Sequence, residues 1–127
     1  METLLGEQLA EAMAKKDAPA MLALLDPQVD FRALTPGRFW EASSANELVD
    51  DVILGHWFEP TDRIESIESI ERGRVADRHR VAYRFRVVND DGAFLVEQQA
   101  YFEVAGDRIT LLRVLCSGFR PAPAVSG

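Results

Sequence analysis

The hydrophobic period of this 127-residue chain changes once, and that change limits what it can fold into. Up to about Phe58, apolar residues recur every three or four positions, apart from one short alternating stretch. From Val81 onward they alternate with polar residues. The first pattern makes helices with one apolar stripe, the second makes strands with one apolar face. Each must cover the other, so the sequence predicts one α+β domain, with three N-terminal helices laid on an antiparallel sheet.

Residues 3–16 place Leu4, Leu5, Leu9, Ala12 and Met13 on one helical face. Asp17 reads as the N-cap of a second helix, with Pro19 just inside it and Met21, Leu22, Leu24 and Leu25 on its buried side. Asp26-Pro27 ends that helix, because the residue before a proline is pushed out of the helical region. A short strand over 29–34 follows, and Thr35-Pro36-Gly37 breaks it. Ser44 and Glu47 have capping-box spacing before Leu48, Val49, Val52, Ile53 and His56, which share a face at 3.6 residues per turn. This third helix ends at Trp57-Phe58, before Pro60. Ile64, Ile67 and Ile70 repeat every three positions, which fits a strand interrupted by a bulge.

Strand parity then sorts the second half. Asn89-Asp90-Asp91-Gly92 is a hairpin turn, and on either choice of its two loop residues Tyr83 and Phe85 share a face with Val96 and Gln98. With Gly106-Asp107 as the next loop and no irregularity, Phe102 opposes Leu111 and Ala100 opposes Arg113. The core face then collects Val81, Tyr83, Phe85, Val96, Gln98, Phe102, Leu111, Arg113 and Leu115. The opposite face collects Arg84, Arg86, Glu97, Tyr101, Leu112, Val114 and Cys116. It is too apolar to be comfortable in water, and it predicts a homodimer interface.

Composition excludes several classes. A net charge of −7 repels phosphate backbones, so nucleic acid is not an expected partner. No apolar run approaches the roughly 18 residues needed to span a bilayer, and the N-terminus lacks a signal-peptide pattern, so neither membrane insertion nor export is expected. The single cysteine, Cys116, rules out an intrachain disulfide and suits a cytoplasmic location. Two histidines without ligand spacing predict no metal, and the absence of glycine-rich phosphate loops predicts no nucleotide cofactor.

Asp30-Phe31-Arg32-Ala33 with Thr35-Pro36-Gly37, then Gly55-His56-Trp57-Phe58-Glu59-Pro60, and finally the stretch 109–121, resemble the SnoaL-like bacterial branch of the nuclear transport factor 2-like (NTF2-like) superfamily. The resemblance covers about residues 3–120, which makes 1–120 one domain and leaves 121–127 as a frayed tail. It implies a cone-shaped fold, in which a curved sheet wraps the helices around an apolar pocket, and a habit of dimerising through the sheet. The superfamily includes isomerases, cyclases, epoxide hydrolases, dehydratases and non-catalytic binding proteins, so fold alone does not select an activity. Two activities lose their chemistry here. The isomerase's general-base Asp position looks like Ala33 or Leu34, and the hydrolase's Arg-x-Asp is missing, since Arg86 precedes Val87 and Val88.

Three polar residues are left on the apolar face, Tyr83, Gln98 and Arg113, and burial without a partner is costly. They are candidate contacts, with Trp57 and Phe102, for a largely apolar small molecule, Arg113 being available to an anionic group. The alternative for Arg113 is the sheet rim, paired with an acid. The alternative for Tyr83 and Gln98 is a satisfied pair within the core. His56 is the candidate general acid or base, or else a helix-end histidine. His79 is expected in solvent, and Cys116 is expected to act as a small apolar residue. Two functions remain open: a small-molecule-binding protein, which could also be a cofactor-free isomerase, cyclase or dehydratase, and a non-catalytic interaction module with a filled pocket.

Overall fold

A computed structural model describes residues 4–123. Helix α1 (Leu5–Ala14) buries Leu5, Leu9, Ala12 and Met13 of the stripe that its period predicts, while Leu4, at the N-cap, is exposed. Thr3, the expected start of this helix, lies outside the described residues. Asp17 caps helix α2 (Ala18–Leu24), its carboxylate accepting from the Ala20 N–H at 3.1 Å. Between them Lys16 takes a positive φ of 52° and donates through Nζ to the carbonyls of Glu59 and Asp62, tying the helical pair to the loop after the third helix.

Strand β1 (Leu25–Thr35) is longer than expected, beginning ahead of Pro27, and the Pro36-Gly37 turn folds it against strand β2 (Arg38–Ala42). The sequence reading missed β2, whose alternation turns Trp40 and Ala42 inward. Two strands therefore precede the third helix, α3 (Glu47–Trp57), so the helices do not form one N-terminal block. The expected cap forms in modified shape: the Glu47 N–H donates to Ser44 Oγ, while the Glu47 carboxylate accepts from Ser43 N–H. Helix α3 is wound as a π-helix along its whole length. The Phe58 N–H reaches back five residues to the Ile53 carbonyl at 2.8 Å. Such winding is rare and usually confined to single turns at functional sites.

The remaining strands are β3 (Arg63–Val75), β4 (Arg78–Asn89), β5 (Gly92–Ala105), β6 (Arg108–Cys116) and the two-residue β7 (Arg120–Pro121). The open sheet runs β2-β1-β6-β5-β4-β3, with β7 added to β5. It is mixed, not wholly antiparallel, because β1 lies parallel to β6. Pro121, expected in the frayed tail, pairs with Phe94 through β7, while residues 124–127 lie outside the described residues. No helix among the described residues is long and apolar enough to cross a membrane.

Irregularities in two strands set the faces. In β3, register shifts fall between Ile64 and Ser66 and again between Ile67 and Ser69. An extra residue at each shift keeps Ile64, Ile67 and Ile70 packed on the core despite their three-residue spacing, so there are two bulges where one was expected. In β6 the Gly106-Asp107 loop is as expected, but the register then shifts: Val104 opposes Ile109 and Glu103 opposes Leu111. Thr110 is the inserted residue, and one such insertion reverses every side chain beyond it. Phe102 therefore faces Leu112, not Leu111, and Ala100 faces Val114, not Arg113. Leu112 and Val114 are buried in the core, and Arg113 and Leu115 point out of the other face. The expected membership of both faces is thus corrected along β6 beyond the insertion, from Leu111 to Cys116, while Ile109, ahead of it, is in the core as expected.

The core is continuous, from Leu9, Met13 and Met21 on the helices, through Phe31, Phe85 and Ile109 on the sheet, to Phe58 after α3. His79 belongs to it. Expected in solvent, it is buried and stacked on Phe102 at 5.2 Å, because it is the first inward position of β4.

Candidate functional site

The corrected register lays a row of polar side chains across the inner face. Tyr83 on β4 opposes Gln98 on β5, and Gln98 opposes Cys116 on β6. The Tyr83 hydroxyl donates to Gln98 Oε1 at 2.6 Å, and the Gln98 Nε2 donates to Cys116 Sγ at 3.5 Å. The thiol sulfur also accepts from the Gly118 N–H at 3.4 Å. Burial, followed by the neighbouring Cys116, pushes the Tyr83 hydroxyl far above its usual range. Tyr83 is therefore a neutral donor committed to Gln98, and it is not a proton source for a ligand.

One end of this row opens into a cavity of about 340 Å³. It is lined by Trp40, Trp57, Phe58 and Phe119 together with Gln98, Cys116, His56 and Arg120. Trp57 stands edge-on to Trp40, ring centres 6.2 Å apart, and packs on Phe31 at 5.8 Å. Trp40 is held from three sides. Its N–H donates to Thr35 Oγ1 at 2.8 Å, the Arg38 guanidinium lies 3.7 Å over its ring, and the His56 ring sits 5.3 Å away. Gly118 and Pro36 meet in the lining, Gly118 having a φ of +75° and an added Cβ there lying 2.8 Å from the Pro36 ring. Only glycine accepts both that backbone conformation and that approach.

The π-winding of α3 decides the roles of its last two residues. At 3.6 residues per turn His56 would sit on the face of Val49, Val52 and Ile53, with Trp57 beside it. The wider turn stacks Trp57 with Leu48 and Ile53, so Trp57 is buried and His56 is exposed at the cavity's side. A Cβ on Gly55 would come within 2.8 Å of the Asp50 carbonyl, so glycine lets that turn close. His56 Nδ1 lies 2.6 Å from the Asp51 carbonyl oxygen. A carbonyl can only accept, so Nδ1 carries the proton and Nε2 of the neutral ring is left as a base.

Of the sequence-derived candidates, His56, Trp57 and Gln98 line this cavity, and Tyr83 supports Gln98 from behind. Two do not reach it. Arg113 lies on the outer face, its side chain 28% exposed, paired with Asp30 at 3.3 Å and bonded to the Asp30 carbonyl at 2.9 Å. It is paired with an acid, as in its alternative reading, but on the outer face of a strand inside the sheet and with a residue of the adjacent strand β1, not at the rim. Phe102 is buried away from the cavity, stacked on His79 and pressed against Gly6 of α1. Trp40, Cys116 and Phe119 were missed. The alternation of residues 38–42 after a proline-glycine turn was the signal for Trp40; Cys116 was hidden by the β6 bulge. No group of three or more His, Cys, Asp or Glu side chains among the described residues is placed to hold a metal ion.

No known family profile matches the sequence, and no curated protein matches it. Solved structures do match its fold. A Bacillus subtilis protein provisionally assigned as an isomerase superposes with a TM-score of 0.73 at 15% identity, over 92% of this chain and 89% of that one. An NTF2-like protein from Burkholderia thailandensis gives 0.65 at 16% identity, over 92% and 91%. A Mesorhizobium loti protein provisionally assigned as a SnoaL-like polyketide cyclase gives 0.63 at 14% identity, over 87% and 94%. At these identities the likeness speaks for architecture, and by architecture the chain belongs to the NTF2-like fold.

Proposed function

We propose that this protein binds a small, largely apolar molecule in the cavity between α3, the β1–β2 hairpin and the inner face of β5 and β6. The observation that carries this reading is the cavity itself. It holds about 340 Å³ lined by four aromatic side chains and by Gln98 of the hydrogen-bonded Tyr83–Gln98 pair, and small-molecule sites combine an apolar wall with a few placed polar groups in this way. Superposing proteins provisionally assigned as an isomerase and a cyclase make cofactor-free proton transfer the reaction class to test. His56 is the base in this proposal, because it lines the cavity and its Nδ1 is engaged by the Asp51 carbonyl, which leaves Nε2 as the basic nitrogen. Arg113 is left out, since it pairs with Asp30 on the other face.

A thermal-shift screen of one- and two-ring compounds tests binding. Ligands that fill the cavity raise the melting temperature in proportion to the logarithm of their concentration. A panel without a single concentration-dependent shift would overturn the proposal. For a turned-over ligand, His56→Ala lowers kcat by about 10² to 10⁴ and leaves binding in place. Undiminished turnover removes His56 from the chemistry.

A second reading, self-association, is favoured by the outer face. Phe39, Leu34 and Leu115 form a cross-strand row over β2, β1 and β6 and are 52%, 51% and 62% exposed. We propose this row, flanked by Tyr101 and the Arg113–Asp30 pair, as the homodimer surface. It replaces the surface expected from sequence in part, because Leu112 and Val114 face the core while Arg84, Glu97 and Tyr101 remain on the outside.

A further inference from the structure

The tip of the β3–β4 hairpin is basic on an acidic molecule. The chain's net charge is −7, yet residues 72–80 hold four arginines, Arg72, Arg74, Arg78 and Arg80, against one acid, Asp77. Glu103 neutralises Arg78 at 2.7 Å, and Glu7 meets Arg72 at 3.1 Å. Arg74 and Arg80 make no ion pair with any described residue. Glu71 and Glu97 border an outer-face groove that Arg80 also touches, but Glu97 is paired with Arg84 at 3.1 Å. Two guanidinium charges are thus left uncompensated at one end of the sheet.

Arg72, Gly73, Arg74, His79 and Arg80 line a depression of about 380 Å³ at this tip, and none of them lines the aromatic cavity. Its parts are held in place. His79 is buried and stacked on Phe102, which ties one wall to the core. Arg74 donates through Nε to the Ala76 carbonyl at 3.0 Å, and Arg72 turns its Nε to Glu7. In both, the terminal nitrogens keep no partner among the described residues. Arg80 leaves β4 on the other face and lies over Gly73, its Nη1 3.5 Å from the place where a Cβ would stand. Gly73 sits in regularly paired strand, without a register shift or a positive φ, so neither a bulge nor a turn calls for glycine there. Glycine inside a strand otherwise marks a close approach, and here it makes room for the Arg80 side chain at the sheet's edge.

We propose that this depression binds a phosphate dianion, free or as the end group of a small molecule. A phosphomonoester carries close to two negative charges near neutral pH, which matches the uncompensated charge of Arg74 and Arg80. Its oxygens accept paired N–H bonds from flat guanidinium groups, and the terminal nitrogens of Arg72 add further donors. A carboxylate brings a single charge and leaves one arginine uncompensated. A nucleic-acid strand meets the same arginines but continues onto an acidic surface that repels its remaining phosphates.

The test titrates inorganic phosphate, phenyl phosphate and benzoate into the full ¹⁵N-labelled chain at pH 8 and fixed ionic strength. Both phosphates are expected to give saturable shifts at the amides of Gly73, Arg74 and Arg80, and benzoate to bind about fivefold more weakly. Tighter binding of phenyl phosphate identifies an end group, and equal or tighter binding of inorganic phosphate identifies the free ion; both support the site. Arg74→Gln and Arg80→Gln each weaken phosphate binding about fivefold. Arg63→Gln removes an exposed arginine at the other end of β3, with the same change in net charge, and leaves binding within about twofold. Either site variant decides the matter if the other fails to fold. Shifts that never saturate, or a loss in Arg63→Gln as large as in the site variants, reduce the effect to diffuse attraction and overturn the proposal. Saturable shifts around His56 and Arg120 in place of the hairpin tip also overturn it, as does a single-stranded oligonucleotide that binds more tightly than either phosphate.

Discussion

Single side chains carry most of the testable chemistry of this protein. Tyr83 is the clearest case. Its hydroxyl satisfies Gln98 in a buried setting, so Tyr83→Phe leaves an amide oxygen without a partner and costs about 1–3 kcal/mol in denaturant unfolding. The same burial sets a pH dependence. The folded-state pKa of Tyr83 is raised above its unfolded value of about 10, so its contribution to stability is complete below that pH and falls as pH rises past it. Urea midpoints measured from pH 8 to pH 11 are expected to drop above about pH 10, and to drop less in Tyr83→Phe. Gly118→Ala meets both a positive φ and the Pro36 ring, and is expected to cost about 1–3 kcal/mol while disturbing the cavity lining. A melting temperature unchanged by that substitution would mean the 116–119 turn rearranges freely.

At the scale of elements, what was legible in the sequence was whatever follows a regular period. Helices α1 and α2, the Asp17 cap, the β4–β5 hairpin and the face shared by Tyr83 and Gln98 all do. What was not legible came from insertions and from winding. Thr110 adds one residue to β6, and periodic reading then assigns Arg113 to the wrong face and leaves Leu112, Val114 and Cys116 outside. The π-turns of α3 bury Trp57 and bring His56 to the cavity's side, where a 3.6-residue period places His56 in the middle of the apolar face. The third departure, β2, was a strand too short to assert itself beside a proline-glycine turn. The β6 register has a direct test. Leu112→Ala removes a buried side chain and costs about 2–5 kcal/mol, whereas Leu111→Ala, on the outer face, costs clearly less. The reverse order would restore the unbulged register.

At the scale of the whole molecule, the two ends of the sheet are managed differently. Strand β3 is an edge of 13 residues, yet it is bulged twice and carries Arg63, Glu65, Glu68, Glu71, Arg72 and Arg74, features that discourage pairing with another strand. The apolar row of Phe39, Leu34 and Leu115 lies instead on a sheet face, where a second copy can meet it about a two-fold axis. Light scattering at micromolar concentration is expected to give twice the chain mass. Leu115→Glu is expected to give the single mass with an unchanged melting curve of the monomer fold. A wild-type monomer would sink the dimer proposal and leave the cavity untouched.

The parallel pairing of β1 with β6 joins Ala33 to Val114, about eighty residues later in the chain. A ribosome adding roughly 5–20 residues per second needs on the order of 4–16 s to supply that partner. Throughout that interval Phe31 and Ala33 have no β6 to pair with, and part of the cavity lining does not exist. The site therefore cannot close until synthesis has passed Cys116 and the turn after it, however early the helices and the first hairpin form.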